Sequence, residues 1–291
     1  MKLSYTEKHS KDVRFSIRVT RQLFSRQSKF QKVDVMESRD FGRFLTLDGL
    51  MMVTEKDEFI YHDMIVHVAM ATNPDIRKVL VIGGGDGGTV RELCRYDTVE
   101  HIDMVEIDKM VVDVSKKYLK KTACKLDDPR VHLHIADGLP FVRNKHDAYD
   151  LIIVDSTDPF GPGEGLFTKE FYGNCYTALT EDGILINQHE SPYYKKYAQS
   201  MKRAHSRIVE TFPVCKVYQA HIPTYPSGHW LFGFASKRLD PIDDFGPEKQ
   251  SRWNALGLDT DYYNTDLHIG AFALPTYVKR LLEEQDNEVT P

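Results

Sequence analysis

The chain has 291 residues, 41% hydrophobic and 28% charged, so it is long enough to form one large or two unequal globular domains with a substantial core. It contains no apolar run of membrane-spanning length, and residues 1–10 lack the apolar segment of a signal peptide, so we expect a cytoplasmic protein without membrane contacts. The net charge of -5 offers no basic surface for nucleic acid, and four dispersed cysteines without a CxxC pair suggest neither a zinc site nor a disulfide framework.

Short alternating segments between residues 13 and 55 predict three or four antiparallel strands. The segments are VRFSIRV, FQKVDVMES, GRFLTLDG and LMMVTE, and Gly42 and Asp48-Gly49 supply turn signals between them. We therefore predict a small N-terminal β-strand domain over residues 1–55 and a second domain over residues 56–291.

Beyond residue 56, helical and strand patterns alternate in the manner of βαβ units. Helices are predicted over residues 57–70, from about 89, and over 110–119, 171–179 and 194–211; strands are predicted over 79–82, 101–107, 131–136, 150–154 and 183–188, with an antiparallel closing pair over 216–222 and 230–236. This order predicts an α/β fold with a doubly wound sheet, in which ligands bind at the carboxyl ends of the strands.

A glycine turn follows the first of these strands. Gly83, Gly85 and Gly88 satisfy G-x-G-x-x-G, the spacing that lets backbone approach a nucleoside cofactor. Glu106 stands about 20 residues beyond the turn, where an acid can accept hydrogen bonds from ribose hydroxyls. Strand, glycines, helix, strand and acid in this order predict a cofactor site, whereas the glycine triplet alone would equally suit a tight turn.

Asp86 lies inside the glycine turn, where a dinucleotide would place its pyrophosphate. A carboxylate there would repel phosphate. The sequence therefore argues against NAD and favours a cofactor that carries positive charge.

Further acids follow the third and fourth strands. Asp137-Gly138 could meet an adenine amino group or form an ordinary Asx-Gly turn. Asp155 and Asp158 follow the apolar run LIIV and lead into the loop over residues 159–165, so they either face the crevice or cap the next turn.

These carboxylates predict a strongly negative crevice that suits a cation or polycation. Carboxylate clusters also suit magnesium or manganese. Because the acids come from several strand ends, they would spread along a bound nucleoside, and we predict no metal site.

Several long motifs, in order, resemble those of the spermidine synthases, the aminopropyltransferases of polyamine synthesis. They are LDGLMMVTEKDEFIYHDM, GGGDGG, VEID, ADG, DSTDPFGPGEGLF, IPTYPSG and the late YYN…HIGAFALP segment, and the resemblance spans about residues 15–282. It implies a small N-terminal antiparallel β domain before a Rossmann-like methyltransferase-type doubly wound sheet, and a homodimer or homotetramer.

The resemblance also implies a donor and the residues that bind it. The donor would be decarboxylated S-adenosylmethionine, a co-substrate with a sulfonium and an ammonium group but no carboxylate, and no further cofactor is expected. The implied donor-binding residues are Gln31 at the nucleoside end, Glu106 at the ribose, Asp137 and Gly138 at the adenine, and Asp86 and Asp155 at the aminopropyl ammonium.

The implied acceptor is a diamine, and putrescine would give spermidine and 5'-methylthioadenosine. An alkyl amine has a pKa of about 10 in water, so its deprotonation needs help, and we assign Asp158 as the general base. Tyr61 and Tyr225 match tyrosines that orient the amine, with Tyr61 and Asp155 counted with Asp158 as catalytic. Gln188 matches a residue that contacts the acceptor.

Two positions depart from the better-known pattern, since Met52 and His62 stand where many members have glutamine. We place His62 in the acceptor-binding set, and Met52 can still pack against the adenosine or methylthio group. The segment NQHESPYY also differs, so cadaverine, agmatine or a triamine remain alternative acceptors. Two other classes are an S-adenosylmethionine-dependent amine N-methyltransferase and a catalytically silent polyamine-binding protein.

Overall fold

The computed structural model describes residues 3–156 and 161–284 of the chain. Within these ranges the strands are β1 Ser4–Lys8, β2 Arg14–Arg18, β3 Arg21–Gln27, β4 Lys32–Ser38, β5 Gly42–Leu47, β6 Leu50–Thr54, β7 Lys78–Gly83, β8 His101–Glu106, β9 Val131–Ile135, β10 Tyr149–Asp155, β11 Leu179–Gln188, β12 Val214–His221 and β13 His229–Ser236. The helices are α1 Glu58–Thr72, α2 Gly88–Leu93, α3 Lys109–Tyr118, α4 Gly138–Arg143, α5 Lys169–Ala178, α6 Lys195–Val209, α7 Pro247–Ala255, α8 Thr265–Ala271 and α9 Thr276–Glu283.

The N-terminal region contains two antiparallel sheets. Strands β1 and β2 form one pair, and β3, β4, β5 and β6 form a four-stranded sheet in sequential order. The prediction of three or four strands was therefore incomplete, because it missed β1 and β3. Most side chains of β3 are exposed, and β1 buries only Tyr5 and Glu7, so neither segment shows a clear hydrophobic alternation.

The second region is built on a seven-stranded sheet in the order β12-β13-β11-β10-β7-β8-β9. The pairings among β7 to β11 are parallel, and β13 is antiparallel to both β11 and β12, which confirms the predicted closing pair. Because both faces of the sheet are covered, its central strands are apolar throughout. In β7, Val79 and Val81 belong to the core beneath α1, whereas Leu80 and Ile82 belong to the core beneath α5.

The four-stranded N-terminal sheet packs on α3. Val33, Val35 and Leu45 share a core with Val111 and Val114 of that helix. Since α3 follows β8 directly, this packing brings the N-terminal sheet to the carboxyl end of β8. None of the helices that the structure describes is both long enough and apolar enough to span a bilayer.

Candidate active site

A cavity lies where the carboxyl ends of the central parallel strands meet the N-terminal sheet. Its walls include β7 and the glycine turn, the ends of β8 and β10, the start of α4, and parts of β5 and β6. Ten of the sequence-predicted site residues line it: Gln31, Tyr61, His62, Asp86, Glu106, Asp137, Gly138, Asp155, Gln188 and Tyr225. Asp158, the predicted general base, lies outside the described residues.

The glycine turn packs against the end of β10. The Gly84 amide donates to the Asp155 carbonyl over 2.8 Å, and a Cβ on Gly83 would lie 2.1 Å from the same oxygen. Gly83 also has a φ of 86°, which disfavours any other residue. This close approach brings the turn that carries Asp86 alongside the Asp155 carboxylate.

Asp155 is held by two hydroxyl groups. Tyr61 of α1 donates to Oδ1 over 2.7 Å, and Thr89 of α2 donates to Oδ2 over 2.6 Å. Burial and the nearby Asp86 charge raise the pKa of Asp155, although His62 and the two hydroxyls act in the opposite direction. Burial and the Asp155 charge raise the pKa of Tyr61 well above its usual value, so Tyr61 is a neutral phenol that donates its proton to the carboxylate.

Asp86 and His62 form a second pair at the turn. The Gly88 amide donates to Asp86 Oδ1 over 2.8 Å, and His62 Nε2 lies 3.3 Å from the same oxygen. A Cβ on Gly88 would lie 2.1 Å from Cε1 of His62, so the third glycine of the motif leaves room for the imidazole ring. Glycine is therefore required at position 88 because the His62 side chain of α1 packs directly against its Cα.

Glu106 ends β8 on the cavity wall and is only 7% exposed. Its Oε1 accepts from the Asp108 amide over 2.8 Å, while burial and the charges of Asp108 and Asp155 raise the pKa of Glu106 to about 7. Gln31 Nε2 lies 3.3 Å from Asp108 Oδ2, which ties the N-terminal sheet to this end of the cavity. A carboxylate here can accept hydrogen bonds from the hydroxyls of a bound sugar.

Asp137 and Gly138 begin α4 at the edge of the cavity. Asp137 is the N-cap residue and accepts from the Leu139 amide over 3.0 Å, so it forms the expected Asx turn and also faces the cavity. A Cβ on Gly138 would lie 2.4 Å from Cγ2 of Ile82, which explains the glycine as a close approach to β7.

Aromatic side chains form another part of the wall. Tyr225 donates its hydroxyl to the Met52 carbonyl, and its ring centroid lies 5.9 Å from that of Tyr61 and 4.7 Å from that of Trp230. Gln188, at the end of β11, also lines the cavity and accepts from the Glu190 amide over 3.1 Å. These residues suit the methylene groups of an aliphatic chain with polar ends.

Sequence reasoning missed three residues of this region. Thr89 was missed because the sequence search for site residues relied on charged side chains, and because the residue that its hydroxyl contacts, Asp155, lies 66 positions away in the chain. Glu7 lines the cavity from β1, a strand that the pattern did not predict, and accepts from the Tyr5 hydroxyl and the Met51 amide. Glu58 lies one turn before His62 on α1, on the side of the ring away from Asp86. It was missed because the sequence there was interpreted only as a helix.

Ligand atoms of His62, Asp86 and Asp155 lie within 4.8 Å of one another. A metal ion would need a neutral imidazole nitrogen as its ligand. Both ring nitrogens of His62 instead face carboxylates, Glu58 on one side and Asp86 on the other, and these charges raise the pKa of the ring well above its usual value, which favours the protonated form. A protonated ring offers no lone pair to a metal ion, and the carboxylates of Asp86 and Asp155 that remain suit an ammonium group, which donates hydrogen bonds to them.

Comparisons with known proteins agree with this geometry. The family model described as the spermine/spermidine synthase domain matches residues 58–244, and the spermidine synthase tetramerisation domain matches residues 3–55. Relatives called polyamine aminopropyltransferase are 73% identical in Alkaliphilus oremlandii and 71% identical in Clostridium perfringens, each covering 98% of this chain and 100% of the relative.

Two solved structures are also similar. One is a spermidine synthase in complex with the transition state analogue AdoDATO, with a TM-score of 0.92, and the other is the spermidine synthase of Thermotoga maritima, with a TM-score of 0.90. Each is 45% identical, covering 96% of this chain and 94% of the other.

Proposed function

Because the chain belongs to the spermine/spermidine synthase family of polyamine aminopropyltransferases, we propose that it transfers the aminopropyl group of decarboxylated S-adenosylmethionine to putrescine. The products are spermidine and 5'-methylthioadenosine, and no further cofactor takes part. The observation that carries the proposal is that carboxylate oxygens of Asp86 and Asp155 lie within 4.8 Å of each other, in one cavity with Glu106.

The charge of the cavity supports the decarboxylated donor. Its aminopropyl ammonium binds between Asp86 and Asp155, while Glu106 accepts from the ribose and Asp137 lies near the adenine. S-adenosylmethionine would instead bring a carboxylate toward these two aspartates, and the like charges would repel each other. The same carboxylates that attract one donor therefore exclude the other.

The transfer is a displacement at the methylene carbon next to sulfur. The lone pair of a neutral acceptor amine forms the new N–C bond, and the electrons of the breaking C–S bond go to sulfur. The leaving thioether is neutral and needs no acid. A base must take the proton from the acceptor ammonium, and we assign this step to Asp158, with Tyr61, Tyr225 and Gln188 orienting the amine.

Putrescine as the acceptor is supported by the names of the two similar structures and by Glu7, a further acid on the cavity wall that suits a dication. Steady-state rates with the decarboxylated donor and putrescine, cadaverine, agmatine or spermidine test this assignment. We expect the highest kcat/KM for putrescine. A higher value for another amine would contradict the acceptor assignment, and methylated products would contradict the reaction.

We also propose that the chain forms a homodimer or homotetramer through residues 3–55, since this segment matches the tetramerisation domain. Light scattering of the purified full chain gives the subunit number directly. A monomer at micromolar concentration would contradict this assignment.

A further inference from the structure

His62 is held between two carboxylates, only one of which belongs to the cavity wall. Its Nδ1 lies 2.5 Å from Oε2 of Glu58, one turn earlier on α1, and its Nε2 lies 3.3 Å from Oδ1 of Asp86. The ring is 2% exposed, and Gly88 packs against it. His62 therefore connects Asp86 to a residue behind the cavity.

Arg91 of α2 completes this arrangement. Its two terminal nitrogens donate to Glu58 over 2.7 Å and 2.9 Å, and its Nε donates to Glu92 over 2.7 Å. Neither Glu58 nor Arg91 lines the cavity. Charges thus alternate from the cavity wall inward, in the order Asp86, His62, Glu58, Arg91 and Glu92.

We propose that Glu58 and Arg91 are positioning residues that act on the donor through His62, holding it as an imidazolium that fixes the Asp86 carboxylate. The inference rests on the proposed function, because it assigns Asp86 to the donor ammonium. The His62 ring and the Gly88 amide both meet Oδ1 of Asp86, which orients the carboxylate from one side.

The surrounding charges support the protonated ring. Burial alone would lower the pKa of His62, but Asp86 and Glu58 outweigh it and raise the pKa well above its usual value. Among the described residues, the other charged or titratable groups near the ring are Asp155 on β10, Arg91 on α2 and the neutral Tyr61 on α1. Burial raises the pKa of Glu58, yet His62 and Arg91 lower it to about 2, so its carboxylate stays ionised.

Arg95 provides a matched control, because it belongs to the same ion-pair cluster without reaching Glu58. It donates to Glu92 over 2.7 Å and to the Asp259 carbonyl over 2.6 Å. Replacing either arginine removes a partly buried cation that pairs with Glu92. Only the Arg91 change removes the hydrogen bonds that hold Glu58 against His62.

The test compares Glu58→Gln, Arg91→Met and Arg95→Met in the full-length protein, by NMR of the His62 ring nitrogens without ligand and by donor kinetics. In wild type and Arg95→Met we expect both ring nitrogens to remain protonated at pH 8. In Glu58→Gln we expect His62 to titrate near neutral pH. We also expect kcat/KM for the decarboxylated donor to fall about tenfold or more, mainly through KM, and to decline further as the pH rises.

Arg91→Met should also lower the pKa of His62 and the kcat/KM for the decarboxylated donor, but by less than Glu58→Gln, because the Glu58 carboxylate still pairs with His62. It also keeps the test decisive if Glu58→Gln does not fold. A neutral His62 in the wild type at pH 8, or equal donor KM values in Arg91→Met and Arg95→Met, would overturn the proposal. The ring titration needs no substrate, so a failure of the proposed function would leave that result interpretable.

Discussion

The Tyr61 hydroxyl donates a 2.7 Å hydrogen bond to Asp155, 94 positions further along the chain. One residue lies on α1 and the other at the end of β10, so the bond crosses from a helix to the central sheet. Because the phenol is neutral, it stabilises the ionised form of the Asp155 carboxylate, to which we assign the donor ammonium.

Tyr61→Phe should therefore weaken donor binding. Without the hydroxyl, the pKa of the buried Asp155 rises further and less of the carboxylate is ionised. A hydrogen bond to a charged group contributes about 1.5–3 kcal/mol, so we expect kcat/KM to fall roughly 10- to 100-fold. Tyr218→Phe is the control, because that buried hydroxyl donates to the Met64 carbonyl. An equal loss in both variants would contradict a specific role for Tyr61.

Glu106 should make donor affinity depend on pH. Its pKa of about 7 means that it becomes protonated in the unliganded protein below neutral pH, and a protonated acid accepts ribose hydrogen bonds less well. Calorimetric titration with the decarboxylated donor should show affinity falling as the pH drops from 8 to 6. Glu106→Gln should bind weakly at every pH, and a pH-independent wild type would contradict this account.

The same group should oppose folding at alkaline pH. Its pKa is raised above the value of 4.5 expected for an exposed glutamate, so the stability it contributes below pH 4.5 is lost as the pH rises through 7. Glu106→Gln should therefore be more stable than wild type at pH 8, by about 3 kcal/mol, and by less than about 1 kcal/mol at pH 5. Thermal unfolding at the two pH values measures this difference.

Gly88→Ala should displace the His62 ring, because the new Cβ would lie 2.1 Å from its Cε1. Overpacking of this kind costs about 1–3 kcal/mol, so we expect a lower melting temperature and a higher donor KM. The control is Gly173→Ala in α5, where a Cβ meets no atom within 4 Å and alanine favours the helix. A donor KM unchanged by Gly88→Ala would show that the ring position does not matter.

Asp158→Asn tests the proposal that Asp158 is the general base. Such a base contributes typically 10²- to 10⁴-fold, so we expect kcat to fall by about this factor, with partial recovery as rising pH deprotonates the amine. Asp113→Asn, a change at an exposed acid on α3 paired with Lys109, should leave the rate unchanged. Near-normal turnover in Asp158→Asn would remove the assignment.

The sequence predicted the parts of the site that local chemistry determines. The α/β fold with an N-terminal antiparallel β region is confirmed. Four of the five predicted acids, Asp86, Glu106, Asp137 and Asp155, line one cavity, because the carboxyl ends of parallel strands meet at one edge of the sheet; the fifth, Asp158, lies outside the described residues. The spermidine synthase resemblance is also confirmed.

The hydrogen bonds and ion pairs that determine whether each site residue is charged could not be predicted from the sequence. The Thr89–Asp155 and Arg91–Glu58 pairs depend on how α1, α2 and β10 pack, which no local pattern encodes. Glu7 was missed for a different reason. The strand β1 that carries it is stabilised by pairing with β2, and its own sequence has no hydrophobic alternation that would predict a strand.

We propose that Asp86 and Asp155 together select a donor that has no carboxylate. The most direct measurement is mass spectrometry of the products formed from putrescine with decarboxylated S-adenosylmethionine and, separately, with S-adenosylmethionine. We predict spermidine and 5'-methylthioadenosine from the first donor and no product from the second. Methylated putrescine from the second donor, or no spermidine from the first, would contradict the account.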